Sequence, residues 1–124
     1  MADLPLLPAG IDLIEISKAR SFYRRHVRRL GSFLSQNEIA YVHGQAGRPY
    51  ERLAELLAAK EAVFKTHGGA WMGLSGFSGI EIRSTGKNLS YRYGRGYASR
   101  RGQIIVVRNK RFVVAMADSV CVGN

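Results

Sequence analysis

The sequence predicts an α+β fold with helices packed on one face of a mainly antiparallel sheet. Three observations predict it: an alternating segment at 10–16, a helix-forming middle from about 17 to 66, and strand-like segments from 79 onward. The order strand, helices, strands points to that class. No internal repeat, low-complexity run or linker interrupts the 124 residues, which suit a single domain over 1–124.

"GIDLIEI" (10–16) reads as a short strand, with Ile11 and Leu13 on one side and Asp12, Ile14 and Ile16 on the other. Ser17 suits the N-cap of a first helix. Ala19, Phe22, Tyr23, His26, Val27 and Leu30 form its apolar stripe, and Gly31 ends it. "SQNE" (35–38) is a capping box, so a short second helix starts at Ser35 and stops between Gly44 and Gly47. Pro49 opens the third and longest helix, running to about Thr66. A glycine-rich loop (Gly68, Gly69, Gly73, Gly76, Gly79) precedes strand candidates at 79–84, 89–93, 103–108 and 111–122. Asn109-Lys110 is expected to form the tight turn between the last two.

Composition narrows the function classes. Hydrophobic residues make up 46% and charged residues 23%, which supports a packed core rather than disorder. One cysteine excludes an internal disulfide and suits a reducing, cytoplasmic setting. "MADLPLLPAG" has no basic segment followed by an apolar run, so it is not read as a signal peptide. No window approaches the roughly 20 apolar residues of a membrane span. The unusual number is the net charge of +10, which predicts an anionic partner.

Several residues invite a chemical reading beside a plain one. Asp12 shares a strand face with two isoleucines and needs a cation, a donor or a metal there. A structural ion pair with an arginine and a metal site both remain open. Glu61 and Lys65 stand at i, i+4 and make either a surface salt bridge or part of a site. Lys60 lies on the apolar stripe and is expected to snorkel to the rim. Ala54, Ala58 and Ala62 imply close helix packing or leave room for a ligand. Lys18, Arg20, Arg24, Arg25, Arg28 and Arg29 give the first helix a basic face without an acid, suited to an anionic partner. The glycine loop fits neither the P-loop nor the G-x-G-x-x-G pattern. The three histidines lack metal-ligand spacing, and Cys121 reads as a small core residue.

Four segments in order resemble the holo-acyl-carrier-protein synthases, the small phosphopantetheinyl transferases. They are "GIDLIEI", "FLSQNE" (33–38), "AAKEAVFK" (58–65) and "FSGIEI" (77–82), and the third is the most specific. The resemblance implies magnesium-dependent transfer of the phosphopantetheine arm of coenzyme A to a serine of an acyl or peptidyl carrier protein. It implies Asp12 and Glu61 as magnesium ligands and Lys65 as the contact to the coenzyme pyrophosphate, with Gly68 in the loop beyond as a further coenzyme contact. Glu61, or a water it orients, is the candidate base for the serine hydroxyl. Carrier proteins are acidic, so Lys18, Phe22, Arg25 and Arg28 on the first helix are the implied docking residues. The family's trimers imply a homotrimer with sites at subunit boundaries, in fatty acid biosynthesis or a related pathway. Small alanines would keep the flank of the site open.

Departures from the family's pattern concentrate on its nucleotide half. Where the family carries Ser-x-Ser-His, this chain reads "IVVR" (105–108), and Arg108 is expected to replace the histidine as a phosphate contact. The arginine before Ala-Lys-Glu-Ala is absent, and the Gly-Lys-Pro segment reads "GKN" (86–88). Two rivals stand beside the transferase. One is a catalytically silent homologue that holds a carrier protein or nucleotide. The other is a nucleic-acid-binding domain, suggested by Tyr91, Tyr93 and Tyr97 beside Arg92 and Arg95, though without strong aromatic-basic interleaving.

Overall fold

A computed structural model describes residues 9–44, 48–66, 79–85, 88–94 and 100–118. Strand β1 (Ala9–Glu15) leads directly into α1 (Ile16–His26) and a 3₁₀ segment (Val27–Ser32). Helices α2 (Gln36–His43) and α3 (Pro49–Thr66) follow, then β2 (Ile80–Thr85), β3 (Asn88–Tyr93), β4 (Arg100–Arg108) and β5 (Phe112–Asp118). The strands form one antiparallel sheet in the order β1-β5-β4-β3-β2. The helices pack on one face of it, with α3 lying on β1 and β5 and against α1 and α2. The expected α+β class is what the chain adopts.

The sheet's two faces follow from the period-2 alternation. On β1, Ile11 and Leu13 are exposed, whereas Gly10 and Ile14 turn toward the helices. A β-carbon on Gly10 would stand 1.9 Å from the Ala62 carbonyl oxygen, so only glycine lets α3 come this close. Thr66 fastens the same approach, its hydroxyl lying 2.8 Å from Ala62 O and 3.1 Å from Ala117 O. Gly102 plays a similar part on β4. It leaves room for the Tyr91 ring, whose hydroxyl donates to Asp118 O at 2.5 Å.

Three local expectations are corrected. Ser17 does not cap α1. That helix begins at Ile16, whose amide donates to Arg111 O of the β4–β5 turn at 2.8 Å, so a tertiary contact replaces the cap. The first helix also does not run straight to Gly31. It breaks after His26, with Arg29 at φ −130°, and Val27 turns outward. Like charges at i, i+4 (Arg24 with Arg28, Arg25 with Arg29) oppose continued α geometry there. The tighter segment delivers Leu30 and Phe33 to the core. Finally, the last turn is centred on Lys110-Arg111 rather than Asn109-Lys110. The Asn109 side-chain oxygen accepts the Arg111 and Phe112 amides, both at 2.8 Å, and so fixes the register.

Other local signals lead to the elements they imply. Ser35 and Glu38 form a complete capping box on α2, which ends at Gly44. Pro49 opens α3. Leu53, Ala54, Leu56, Leu57, Ala58, Ala59, Ala62 and Val63 are buried on several of its faces, as befits a central helix. Among the described residues no helix is long and apolar enough to cross a membrane.

Candidate functional site

Asp12 sits mid-strand on β1, facing α3. Its cation is a lysine from that helix and not an arginine: Lys65 Nζ donates to Asp12 Oδ1 at 2.9 Å and to Ile11 O at 3.2 Å. Of the two readings of Glu61 and Lys65, the i, i+4 bridge along the helix is not the contact Lys65 makes. Lys65 reaches across to the strand, where a carboxylate and a carbonyl oxygen converge.

Glu61 lies one turn before Lys65. Burial pushes its carboxyl pKa up, the nearby Asp12 charge pushes it further, and Lys65 pulls it down. Those two influences place Glu61 within electrostatic reach of both partners. The Lys65 ammonium is raised above its ordinary value, chiefly by the hydrogen bond to Asp12. Asp12, Glu61 and Lys65 are thus brought together at the junction of β1 and the last turns of α3.

Of the two roles open to the alanines, close packing is the one they take. Ala54, Ala58, Ala59 and Ala62 are fully buried, so they leave no open flank. Their small size lets α3 settle onto β1, and that approach is what puts a strand carboxylate within reach of a helix lysine. The correction is one of mechanism: short side chains set the distance between two elements.

Lys60 is corrected more sharply. It does not snorkel: it is 0% exposed, and its Nζ donates to Glu38 Oε1 at 2.9 Å and to Phe33 O at 3.2 Å. Glu38 is almost as buried. Its Oε1 also accepts the Ser35 amide and its Oε2 accepts the Ile82 amide, each at 2.8 Å. Burial lowers the Lys60 pKa, and the Glu38 carboxylate opposes that. One buried pair therefore ties α2, α3, β2 and the 3₁₀ segment together. Sequence reasoning read Glu38 as a helix cap and part of a family-like segment, not as the partner of Lys60. The signal that points further is a lysine on the apolar stripe of a central helix, which needs a buried acid.

Around these clusters the remaining candidates divide. Lys18, Phe22 and Arg25 line one groove on α1 together with exposed Leu13. Phe22 is anchored there by Phe33, with ring centroids 5.5 Å apart and edge-to-face. Arg28 lies beyond the break, on the 3₁₀ segment rather than the helix face. Arg108 is elsewhere. Its Nη1 bridges Glu51 Oε2 at 3.2 Å and Glu55 Oε2 at 3.8 Å, near the start of α3 and about 15 Å along that helix from Glu61. Gly68, most of the glycine loop, His67, Tyr97 and Cys121 lie outside the described residues.

The tyrosines of β3 do not serve a nucleic-acid surface. Tyr91 is buried and Tyr93 packs edge-to-face on Phe64, centroids 5.8 Å apart, while Arg92 faces the other way.

No cluster of three or more His, Cys, Asp or Glu side chains occurs among the described residues. A two-carboxylate set is nevertheless what a hard divalent ion takes when substrate phosphates complete its shell. Burial first and the Asp12 charge second disfavour an ionised Glu61, and a divalent ion between the two carboxylates would offset both, so the residues fit it.

Comparison with known proteins places the chain in a family. The model of the 4'-phosphopantetheinyl transferase superfamily matches residues 8–117. A holo-[acyl-carrier-protein] synthase of Moorella thermoacetica is 42% identical over 77 residues, 62% of this chain and 59% of that protein. One of Clostridium acetobutylicum is 28% identical over 116 residues, 87% of this chain and 92% of that protein. Against the Moorella relative, then, the chain spans less than two thirds of the other's length. Among solved structures, the Neisseria meningitidis holo-[acyl-carrier-protein] synthase superposes with TM-score 0.74 at 23% identity, covering 93% of this chain and 99% of that one. The Bacillus anthracis enzyme, in complex with CoA (3',5'-ADP), gives 0.69 at 26% identity over 92% and 97%. With its fold, its strand–helix carboxylates and a family match across nearly its whole length, the chain belongs to the 4'-phosphopantetheinyl transferase superfamily.

Proposed function

We propose that this protein transfers the phosphopantetheine arm of coenzyme A to a serine of an acyl or peptidyl carrier protein. The observation that carries the reading is the convergence of Asp12, Glu61 and Lys65, with Lys65 Nζ 2.9 Å from Asp12. Relatives named holo-[acyl-carrier-protein] synthase support the reaction class.

Asp12 and Glu61 would hold magnesium, which when bound supplies charge to the phosphate oxygens. The chain's own groups do the rest. Lys65, whose side chain is 53% exposed, is free to swing toward an incoming pyrophosphate and neutralise charge as it develops. The Glu61 carboxylate, or a water it orients, accepts the serine proton. Lys18, Phe22 and Arg25 form the docking face, an aromatic flanked by cations, for an acidic carrier.

Self-association fits the same reading. Ile11, Met116 and Ile105 form one cross-strand row, and Leu13, Val114 and Val107 form the next. Five of these six side chains are exposed, on the sheet face away from the helices. A homotrimer of single-domain chains covers this patch and places sites at subunit boundaries. Sedimentation equilibrium is expected to return three times the chain mass, and a monomer at micromolar concentration rejects the trimer.

The function is tested by mass spectrometry. An apo carrier protein incubated with this protein, magnesium and coenzyme A should gain the mass of the arm, and Lys65→Ala should suppress the gain. A second reading, a silent carrier-binding homologue, is favoured by the engagement of Arg108 with Glu51 and Glu55. Saturable carrier binding without mass gain across several carriers would establish it instead.

A further inference from the structure

We infer a second anion site, for a phosphate monoester, on the face of the sheet opposite Asp12. It does not rest on the transferase reading. Arg92 of β3 and Arg101 of β4 are register partners, so their side chains rise side by side from one face. Gly10, Asp12 and Ile14 face the helices on the other side. Arg83 of β2 joins the two arginines around a groove of about 380 Å³ between the strands, with Ser90 and Gln103 on its walls.

Like charges set directly opposite each other on paired strands are unfavourable, and the chain supplies too little to offset them. Glu81 is the one acid on these strands among the described residues, and its carboxylate is 3.0 Å from Arg83 Nε. One carboxylate against three guanidiniums leaves two positive charges over. The other described acids are engaged or distant. Asp12 holds Lys65, Glu38 holds Lys60, Glu51 and Glu55 hold Arg108, and Asp118 takes the Gln103 amide. Glu15 and Glu61 stand on β1 and α3. Among the described residues, Glu81, which also stands opposite Arg92 in register, is thus the only acid facing the groove.

The ligand's chemistry follows from the geometry. Two adjacent guanidinium forks suit the oxygens of one phosphate, which accept bidentate pairs from both. The Ser90 hydroxyl and Gln103 amide offer hydrogen bonds to a small organic group attached to it. A nucleic-acid strand is a poorer fit. The cationic patch spans two cross-strand rows and then meets the apolar Ile105–Met116 region, and the neighbouring tyrosines point to the core.

The test uses the full chain labelled with 15N-arginine and titrated with inorganic phosphate, methyl phosphate and a short oligonucleotide. Two arginine Nε signals should shift along one saturating curve with each phosphate, and both should vanish from the spectrum of Arg92→Gln/Arg101→Gln. Calorimetry should show that double variant losing affinity about tenfold or more. Arg24→Gln/Arg29→Gln removes equal charge from the first helical segments and should leave the affinity unaltered. Without phosphate, Arg101→Gln should melt no lower than the parent, because it removes a like-charge opposition. Equal losses in both double variants, shifts that never saturate, or tighter, steeply salt-dependent oligonucleotide binding would each overturn the site.

Discussion

Two lysines on one helix, five positions apart, meet opposite fates. Lys60 is sealed in the core against Glu38, while Lys65 stands half in solvent against Asp12, and both Nζ–carboxylate distances are 2.9 Å. Equal geometry with unequal burial separates their roles. A buried pair saturated by amide donors holds elements together and has no spare bond to offer. An exposed pair costs little to open, so its lysine is available to a substrate. The structural pair neighbours Glu61 in sequence, and the pair suited to chemistry lies one turn beyond it.

The comparison breaks most easily at Lys60. Lys60→Met leaves Glu38 buried without its cation and should lower the unfolding free energy by about 3–5 kcal/mol in denaturant titration. Lys60→Met/Glu38→Leu should recover much of that, because an apolar pair of similar volume escapes the desolvation cost. If the single variant were as stable as the parent, the pair would not be a tie between elements. Lys65→Ala is the contrasting measurement. It should change stability by about 1 kcal/mol at most, since an exposed pair is screened by water, while transfer activity falls. A large loss of stability there would erase the distinction.

The smallest effect is electrostatic and sharpens the picture of the site. The carboxyl 13C signal of Glu61 should titrate at lower pH in Asp12→Asn and at higher pH in Lys65→Ala, following the sign of each neighbour's influence. The folded-state pKa is raised, so Glu61 favours the fold fully below the unfolded carboxylate value of about 4.3. That contribution is lost as pH rises through the folded value, and the loss should shrink in Asp12→Asn. An unchanged midpoint in both variants would mean that the three side chains are not electrostatically coupled.

Much of this was legible in advance because it is local. The α2 capping box, the Pro49 start of α3 and the alternation of β1 depend on residues within a turn or two of one another, and each gave the element expected. The failures share a cause as well. Ser17 lost its cap role to an amide bond with Arg111, an ordering contact from the far end of the chain. Lys60 was expected at the rim but met Glu38, a buried acid supplied by another helix.

By itself the sequence determined the class of fold, the positions of most elements and the motif set shared with the superfamily, since propensity, capping and periodicity act over short separations. Only the tertiary structure decided which acid each lysine meets. Pairing depends on how closely two elements approach, and Gly10 and the buried alanines set that distance only once α3 lies on the sheet.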